Sequence, residues 1–123
     1  MPAILVISDE NEQKLEIALK LQELGYDVLE ANNGHEGLDI IESIFPDAVI
    51  TDLFLPSLDG IGIILQLTKS NPDLPIIIMG KAENAAYLKF AERLGASQVL
   101  CKPVNTRELE FAVTQVMLDD YRW

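Results

Sequence analysis

The sequence is poor in cysteine and histidine, with one residue of each among 123. A single cysteine, Cys101, excludes an internal disulfide and a cysteine-based metal cluster, and we expect its side chain to be buried as a small hydrophobic group. The single histidine, His35, follows a predicted turn, and no Ser–His–Asp or Cys–His arrangement can be assembled around it. The composition therefore does not favour a serine or cysteine hydrolase.

Basic residues and long apolar runs are also scarce. Nine Lys and Arg face 20 Asp and Glu, for a formal net charge of -11, whereas a nucleic-acid-binding surface needs clustered basic side chains. The longest apolar stretches, Ile61–Leu67 and Pro75–Met79, are too short to span a bilayer. No basic segment leads into an apolar run at the N-terminus. We therefore expect a cytoplasmic protein that contacts neither nucleic acid nor membrane directly.

Short apolar runs alternate with amphipathic stretches along the chain. Strands are predicted at Ala3–Ile7, Asp27–Ala31, Asp47–Thr51, Pro75–Met79 and Ser97–Cys101. Helices are predicted at Gln13–Leu24, His35–Ile44, Ile61–Ser70, Glu83–Leu94 and from Asn105 onward. This alternation is typical of a parallel sheet with right-handed crossovers and helices on both faces. We expect one domain over residues 1–123, with 118–123 as a tail or the start of a linker.

The spacing of apolar residues in the first predicted helix indicates which of its faces is buried. Ile17, Leu21 and Leu24 recur at spacings of four and three residues, which places them on one side of a helix. Leu15 and Leu19 are apolar too, and we expect them to widen that buried face. The helix should then cover one face of the sheet.

Polar residues follow the predicted strands at the edge where open parallel sheets bind ligands. The residues at these strand ends are Ser8-Asp9-Glu10, Asp52, Gly80-Lys81 and Lys102-Pro103. The crevice should hold two or three carboxylates and at least one lysine.

The chemistry of these groups suits phosphoryl transfer. Carboxylate oxygens are suitable ligands for Mg²⁺, a lysine supplies a positive charge for phosphoryl oxygens, and a carboxylate can act as a nucleophile that forms an acyl phosphate. The alternative is that Asp9, Asp52 and Lys102 only cap helices or form ion pairs, because loops commonly begin with polar residues.

Five motifs along the chain narrow this choice. They are Ile4–Glu10 (ILVISDE), Ile50–Pro56 (ITDLFLP), Asp59-Gly60, Gly95-Ala96 and Lys102-Pro103. In this order and spacing the chain resembles the receiver domain of two-component response regulators over nearly its whole length. The resemblance implies a flavodoxin-like, doubly wound sheet of five parallel strands in the order 2-1-3-4-5, with five helices.

The resemblance also implies a role for individual residues. Asp52 would accept a phosphoryl group, and Lys102 would bind Asp52 and then the phosphoryl oxygens. Asp9, Asp52 and the backbone carbonyl of Phe54 would bind Mg²⁺. Pro103 would follow Lys102 through a cis bond that fixes the loop.

The partners are implied in the same way. A sensor histidine kinase or a phosphotransfer protein of a phosphorelay would donate the phosphoryl group. An output domain or a separate partner would then recognise the face formed by the fourth helix, fifth strand and fifth helix. The domain would not be an enzyme in the ordinary sense, because at most it catalyses its own phosphorylation and dephosphorylation.

The sequence departs from the family pattern at four positions. Ser8 replaces the first residue of the usual acidic pair, so we expect it to hold Mg²⁺ only weakly, through water. In the family, a hydroxyl after the fourth strand and an aromatic ring on the fifth strand move together on activation. Gly80 lacks the hydroxyl and Val99 lacks the ring, so both groups of this switch are missing. Lys81 occupies a position where the family generally has a small residue. Its ammonium either points into solvent, contacts the phosphoryl group or pairs with Asp52.

These departures keep two other interpretations open. A pseudo-receiver would bind a partner without depending on phosphorylation. The other interpretation is an unrelated flavodoxin-like enzyme or nucleotide binder. Against it, the glycines form no phosphate-binding fingerprint. The acidic segment after the first strand, residues 8–12, would also repel a pyrophosphate.

Overall fold

A computed structural model of the protein describes residues 1–119, in which five strands alternate with five α-helices. The strands are β1 (Ala3–Ile7), β2 (Asp27–Ala31), β3 (Ala48–Asp52), β4 (Ile76–Lys81) and β5 (Gln98–Lys102). The helices are α1 (Asn11–Glu23), α2 (Gly34–Ile44), α3 (Gly60–Ser70), α4 (Ala85–Leu94) and α5 (Thr106–Asp119), with a 3₁₀ turn (Ala82–Asn84) before α4. Within residues 1–119, no helix combines the length and the apolar character that crossing a membrane requires.

The sheet is parallel throughout, in the order β2-β1-β3-β4-β5, as predicted. From β1 the chain passes to β2 on one side and then to β3 on the other. The carboxyl ends of β1 and β3 therefore flank the point where the winding direction reverses, which is where such sheets bind ligands.

The sheet is buried on both faces. Along β1, Ile4 and Val6 pack with α1 and α5, whereas Leu5 and Ile7 pack with α2, α3 and α4. All four side chains are fully buried, and burial of each contributes about 1.5–3 kcal/mol. A strand covered on both sides needs apolar residues at every position, which explains the continuous apolar runs in the sequence.

The buried face of α1 differs from the predicted one. Leu15 and Leu19 are 57% and 55% exposed, so the prediction that they widen this face was wrong. Lys14 is buried instead, at 7% exposure, because it precedes Ile17 by three residues and Leu21 by seven. Its ammonium donates to the carbonyl oxygen of Ser8 at 3.2 Å and to the side-chain oxygen of Asn32.

Two strands also end later than predicted. Gly80 and Lys81 belong to β4 because their pairing continues with Cys101 and Lys102, which makes Lys102 the last residue of β5. Cys101 is exposed, so its predicted burial was wrong; β5 is an edge strand.

The expectation of a tail at 118–123 is also partly wrong, since α5 continues to Asp119. Residues 120–123, which include Tyr121-Arg122-Trp123, lie outside the described part of the chain.

The Asp59-Gly60 motif closes the loop after β3. Asp59 begins α3 by accepting a hydrogen bond from the backbone N–H of Gly62 at 3.1 Å. The N–H of Gly60 donates to the carbonyl of Leu53 at 3.0 Å. A Cβ atom at position 60 would lie only 2.6 Å from the carbonyl oxygen of Asp52. Glycine is therefore required for the loop to fold back against the end of β3.

Gly60→Ala should destabilise the domain by about 3 kcal/mol or more, because a methyl group would press on backbone atoms that cannot easily move. Urea unfolding monitored by circular dichroism would measure this. Gly25→Ala is the matched control, since Gly25 has open space around it and a φ of 97°, so that only backbone strain of about 1–2 kcal/mol is added. Equal losses in the two variants would contradict the argument.

Candidate functional site

The site lies at the carboxyl edge of the sheet and is assembled from three strand ends. Asp52 is the last residue of β3 and is only 1% exposed. Asp9 and Glu10 stand between β1 and α1, and Lys102 ends β5. One carboxylate oxygen from each of Asp9, Glu10 and Asp52 lies within 4.8 Å of the other two. The structure thus brings together the three residues that the sequence singled out, Asp9, Asp52 and Lys102, and adds Glu10.

Lys102 joins two of these carboxylates. Its Nζ lies 2.8 Å from Oδ1 of Asp52 and 2.8 Å from Oε1 of Glu10. Burial by itself lowers the pKa of Lys102, but its hydrogen bonds to Asp52 and Glu10, together with their negative charges, raise the pKa above its ordinary value of 10.5. The ammonium therefore stays charged at neutral pH and offsets part of the negative charge of the cluster.

The two carboxylate oxygens of Asp52 have different surroundings. Oδ1 accepts from Lys102 and also from the side-chain amide nitrogen of Gln13 at 3.3 Å. Oδ2 is buried, and no group in residues 1–119 donates a hydrogen bond to it. A buried oxygen without a partner costs free energy, so its position indicates a group that binds there.

The available donors fit a hard divalent cation. Asp9, Glu10 and Asp52 offer only oxygen atoms, which is the ligand type that Mg²⁺ prefers. Phe54, whose backbone carbonyl was the fourth expected ligand, lies in the loop that follows Asp52. Its exposed ring contacts Tyr87 edge-on, with centroids 5.6 Å apart.

Ser8 directly precedes the carboxylate residues Asp9 and Glu10 in the chain. Its side chain is fully buried, and its hydroxyl accepts a hydrogen bond from the N–H of Glu10 at 3.1 Å. The hydroxyl therefore orients the turn that carries Asp9 and Glu10. Weak binding of Mg²⁺ through water by Ser8 stays a prediction.

The two altered switch positions are packed against apolar groups. A Cβ atom on Gly80 would lie 3.0 Å from Cδ2 of Leu88 and 3.2 Å from Cδ2 of Leu53. These leucines therefore crowd the position where the family carries a hydroxyl. Val99 is partly buried and packs with the core cluster beneath α2, α3 and α4.

Lys81 lies beside Lys102 in the strand register and is exposed. Both lysines line a cavity of about 450 Å³ that also borders Asp9, Glu10 and Gly80. The peptide bond between Lys102 and Pro103 is cis, as the resemblance implies. His35 is exposed on α2.

Sequence reasoning gave no role to two residues that the structure places at the site. Glu10 was counted among the strand-end carboxylates without a role of its own, and Gln13 was noted only as the start of a helix. The available signal was their position directly after Asp9, since the first turn of α1 begins at the same sheet edge. Which of these side chains turns toward Asp52 depends on the docking of α1.

Ser8→Asp should tighten Mg²⁺ binding roughly tenfold, because an added carboxylate near a divalent cation contributes on the order of 1–2 kcal/mol. Titration of Mg²⁺ followed by NMR chemical shifts would measure the affinity. Ser97→Asp is the matched control, since it adds the same charge at an exposed position before β5, at the opposite edge of the sheet. Unchanged or weaker binding in Ser8→Asp would contradict the prediction.

Comparisons with known proteins point to one family. The family model of the response regulator receiver domain matches residues 4–114. The chain is 35% identical over 114 residues to a probable transcriptional regulator, ycf27, of Porphyridium aerugineum, covering 93% of this chain and 47% of that protein. It is 32% identical over 114 residues to the alkaline phosphatase synthesis transcriptional regulatory protein PhoP of Bacillus subtilis, covering 93% and 48%. The chain thus spans about half the length of these curated relatives.

Solved structures show the same similarity. A response regulator receiver domain protein from Clostridium thermocellum is 31% identical, with a TM-score of 0.92 over 98% of this chain and 97% of that one. The receiver domain of NtrX from Brucella abortus is 26% identical, with a TM-score of 0.88 over 92% and 96%. The chain therefore belongs to the family of response regulator receiver domains, whose general function is to be phosphorylated on an aspartate by a kinase.

Proposed function

We propose that Asp52 is the phosphoryl acceptor of this receiver domain and that a histidine kinase or a phosphotransfer protein is the donor. The observation that carries the proposal is the state of the Asp52 carboxylate. Its Oδ2 is buried without a partner, whereas its Oδ1 is held by Lys102 and Gln13. This arrangement leaves one oxygen without a hydrogen-bond partner and places the positive charge of Lys102 beside the carboxylate.

The transfer converts a carboxylate into an acyl phosphate. Oδ2 of Asp52 attacks the phosphorus, and a new P–O bond forms as the bond from phosphorus to the donor breaks. The leaving group, an imidazole nitrogen or an acetate oxygen, departs with the bonding electrons. Oδ1 becomes the carbonyl oxygen of the product. Lys102 keeps its charge during this step and stabilises the phosphoryl oxygens.

Receiver domains bind Mg²⁺ at an acidic pocket, and we propose that Asp9, Glu10 and Asp52 bind it here with the backbone carbonyl of Phe54. The ion supplies positive charge that neutralises the phosphoryl oxygens. Ser8 brings no charge at the position where the family carries an acidic residue, and Glu10 is already paired with Lys102. We therefore propose that Mg²⁺ binds weakly.

We further propose that phosphorylation acts on an output domain or partner through the face of α4, β5 and α5. Two of these elements carry exposed apolar side chains, Phe90 on α4 and Phe111 on α5. The curated relatives are about twice as long as this chain, which supports an output domain as the recipient. The acidic charge of this domain does not support direct contact with nucleic acid.

Incubation with acetyl phosphate and Mg²⁺ should add one phosphoryl group, detected by intact mass. Asp52→Asn should abolish the gain, because an amide of the same shape is a poor nucleophile. Circular dichroism of both proteins would establish that they are folded. A folded wild-type protein that gains no mass would overturn the proposal and favour a pseudo-receiver that binds its partner independently of phosphate.

We also propose that Lys81 binds the phosphoryl oxygens in place of the hydroxyl that Gly80 lacks. Support comes from the pairing of Lys81 with Lys102 in the register of β4 and β5. Residues paired in this way point to the same side of a sheet. Lys81 also lines the cavity that contains Asp9, Glu10 and Lys102. Its exposed side chain can reach the cavity without displacing a packed group.

Lys81→Ala should slow phosphorylation by acetyl phosphate roughly threefold to tenfold, a modest effect because an exposed charge is screened by water. The rate would be measured by intact mass at several donor concentrations. Lys89→Ala removes the same charge from an exposed position on α4 and serves as the control. Equal rates for the two variants would show that Lys81 points into solvent.

A further inference from the structure

Gln13 is the third residue of α1, and its side chain reaches the Asp52 carboxylate from the helical side of the site. The amide nitrogen lies 3.3 Å from Oδ1 of Asp52. An ionised carboxylate only accepts hydrogen bonds, so the nitrogen of the amide, rather than its oxygen, must face Asp52. The side chain is partly buried and lines a cavity of about 730 Å³ that also borders Lys81 and Lys102. A phosphoryl donor can therefore approach this contact.

Two donors from different elements hold the same oxygen. Lys102 approaches Oδ1 from β5, and Gln13 approaches it from α1. Rotation of the carboxylate about its Cβ–Cγ bond would exchange the two oxygens, but it would break both hydrogen bonds. The pair of donors therefore determines that Oδ2 is the oxygen left without a partner.

In the described part of the chain, other neutral side chains near Asp52 form hydrogen bonds with backbone groups instead of with its carboxylate. The hydroxyl of Ser8 accepts from the N–H of Glu10, and the hydroxyl of Thr51 donates to the backbone carbonyl of Asp52. Gly80 has no side chain. Among residues 1–119, Gln13 is therefore the one neutral side chain hydrogen-bonded to the Asp52 carboxylate.

We propose that Gln13 is a positioning residue for phosphoryl transfer, an inference that rests on the proposed role of Asp52. By donating to Oδ1, the amide fixes the rotation of the carboxylate, so that Oδ2 stays the oxygen without a partner. It supplies a neutral donor at a site where Gly80 provides none. Lys102 alone is a single contact about which the carboxylate can pivot, and the amide removes that freedom.

Gln13→Met is the sharpest test, because it keeps the length of the side chain and removes only the amide. We expect phosphorylation by acetyl phosphate to slow roughly tenfold, as for a misaligned reacting group. The Mg²⁺ affinity should stay unchanged, because the amide is not one of the proposed ligands. Gln22→Met makes the same substitution at an exposed position of α1 and should leave both quantities unchanged.

Gln13→Glu separates positioning from a structural role. A carboxylate facing Oδ1 repels Asp52, so phosphorylation should be slower than in Gln13→Met, while Mg²⁺ should bind more tightly because a negative charge is added. A merely structural residue would not move the rate and the Mg²⁺ affinity in opposite directions. In NMR spectra of the unphosphorylated protein, the side-chain amide signal of Gln13 should shift in Asp52→Asn.

The possible results distinguish the two proposals. A wild-type protein that takes no phosphoryl group overturns the role of Asp52 and, with it, that of Gln13. A wild-type protein that is phosphorylated at the same rate as Gln13→Met overturns the role of Gln13 alone. A slow Gln13→Met, with unchanged Mg²⁺ affinity and an unaffected Gln22→Met, establishes positioning.

Discussion

Lys102 reaches across the end of β4 to place its ammonium 2.8 Å from Oδ1 of Asp52, since β4 lies between β3 and β5. Asp52 is almost fully buried, and a buried carboxylate is costly without a positive partner. The arrangement of the site depends on this ion pair. It places a positive charge beside the buried carboxylate of Asp52 and engages one of its oxygens. It also connects the fifth strand to the centre of the sheet, where the winding direction reverses.

The charge around this ion pair is unbalanced. Three carboxylates, those of Asp9, Glu10 and Asp52, lie close together, and in the described part of the chain Lys102 is the one ammonium that pairs with any of them. Like charges at this spacing repel one another, so the site as a whole favours an added cation. A cation held by these carboxylates would supply the positive charge that the proposed phosphoryl transfer needs. The overall acidity of the chain acts in the same direction but is less specific.

The switch positions suggest that a signal leaves this site by an altered route. Leu53 and Leu88 crowd Gly80, and Val99 packs as an aliphatic side chain in the core. Neither position offers a polar or aromatic group that can change partners. Polar side chains that line the cavity of about 730 Å³ include those of Lys81, Lys102 and Gln13. These residues belong to β4, β5 and α1, so a response through them would begin at three different elements.

Several properties of this domain follow from the amino-acid sequence alone. The apolar runs predict five buried strands, and their alternation with helices predicts the parallel sheet, because these periodicities are local. The motifs then identify Asp9, Asp52 and Lys102. Contacts between distant segments decided the remainder. The docking of α1 buries Lys14 instead of Leu15 and turns Gln13 toward Asp52. The edge position of β5 exposes Cys101. Helical spacing alone places Lys14 in line with Ile17 and Leu21, but the contact of Gln13 with Asp52 and the exposure of Cys101 depend on neighbours far away in the chain.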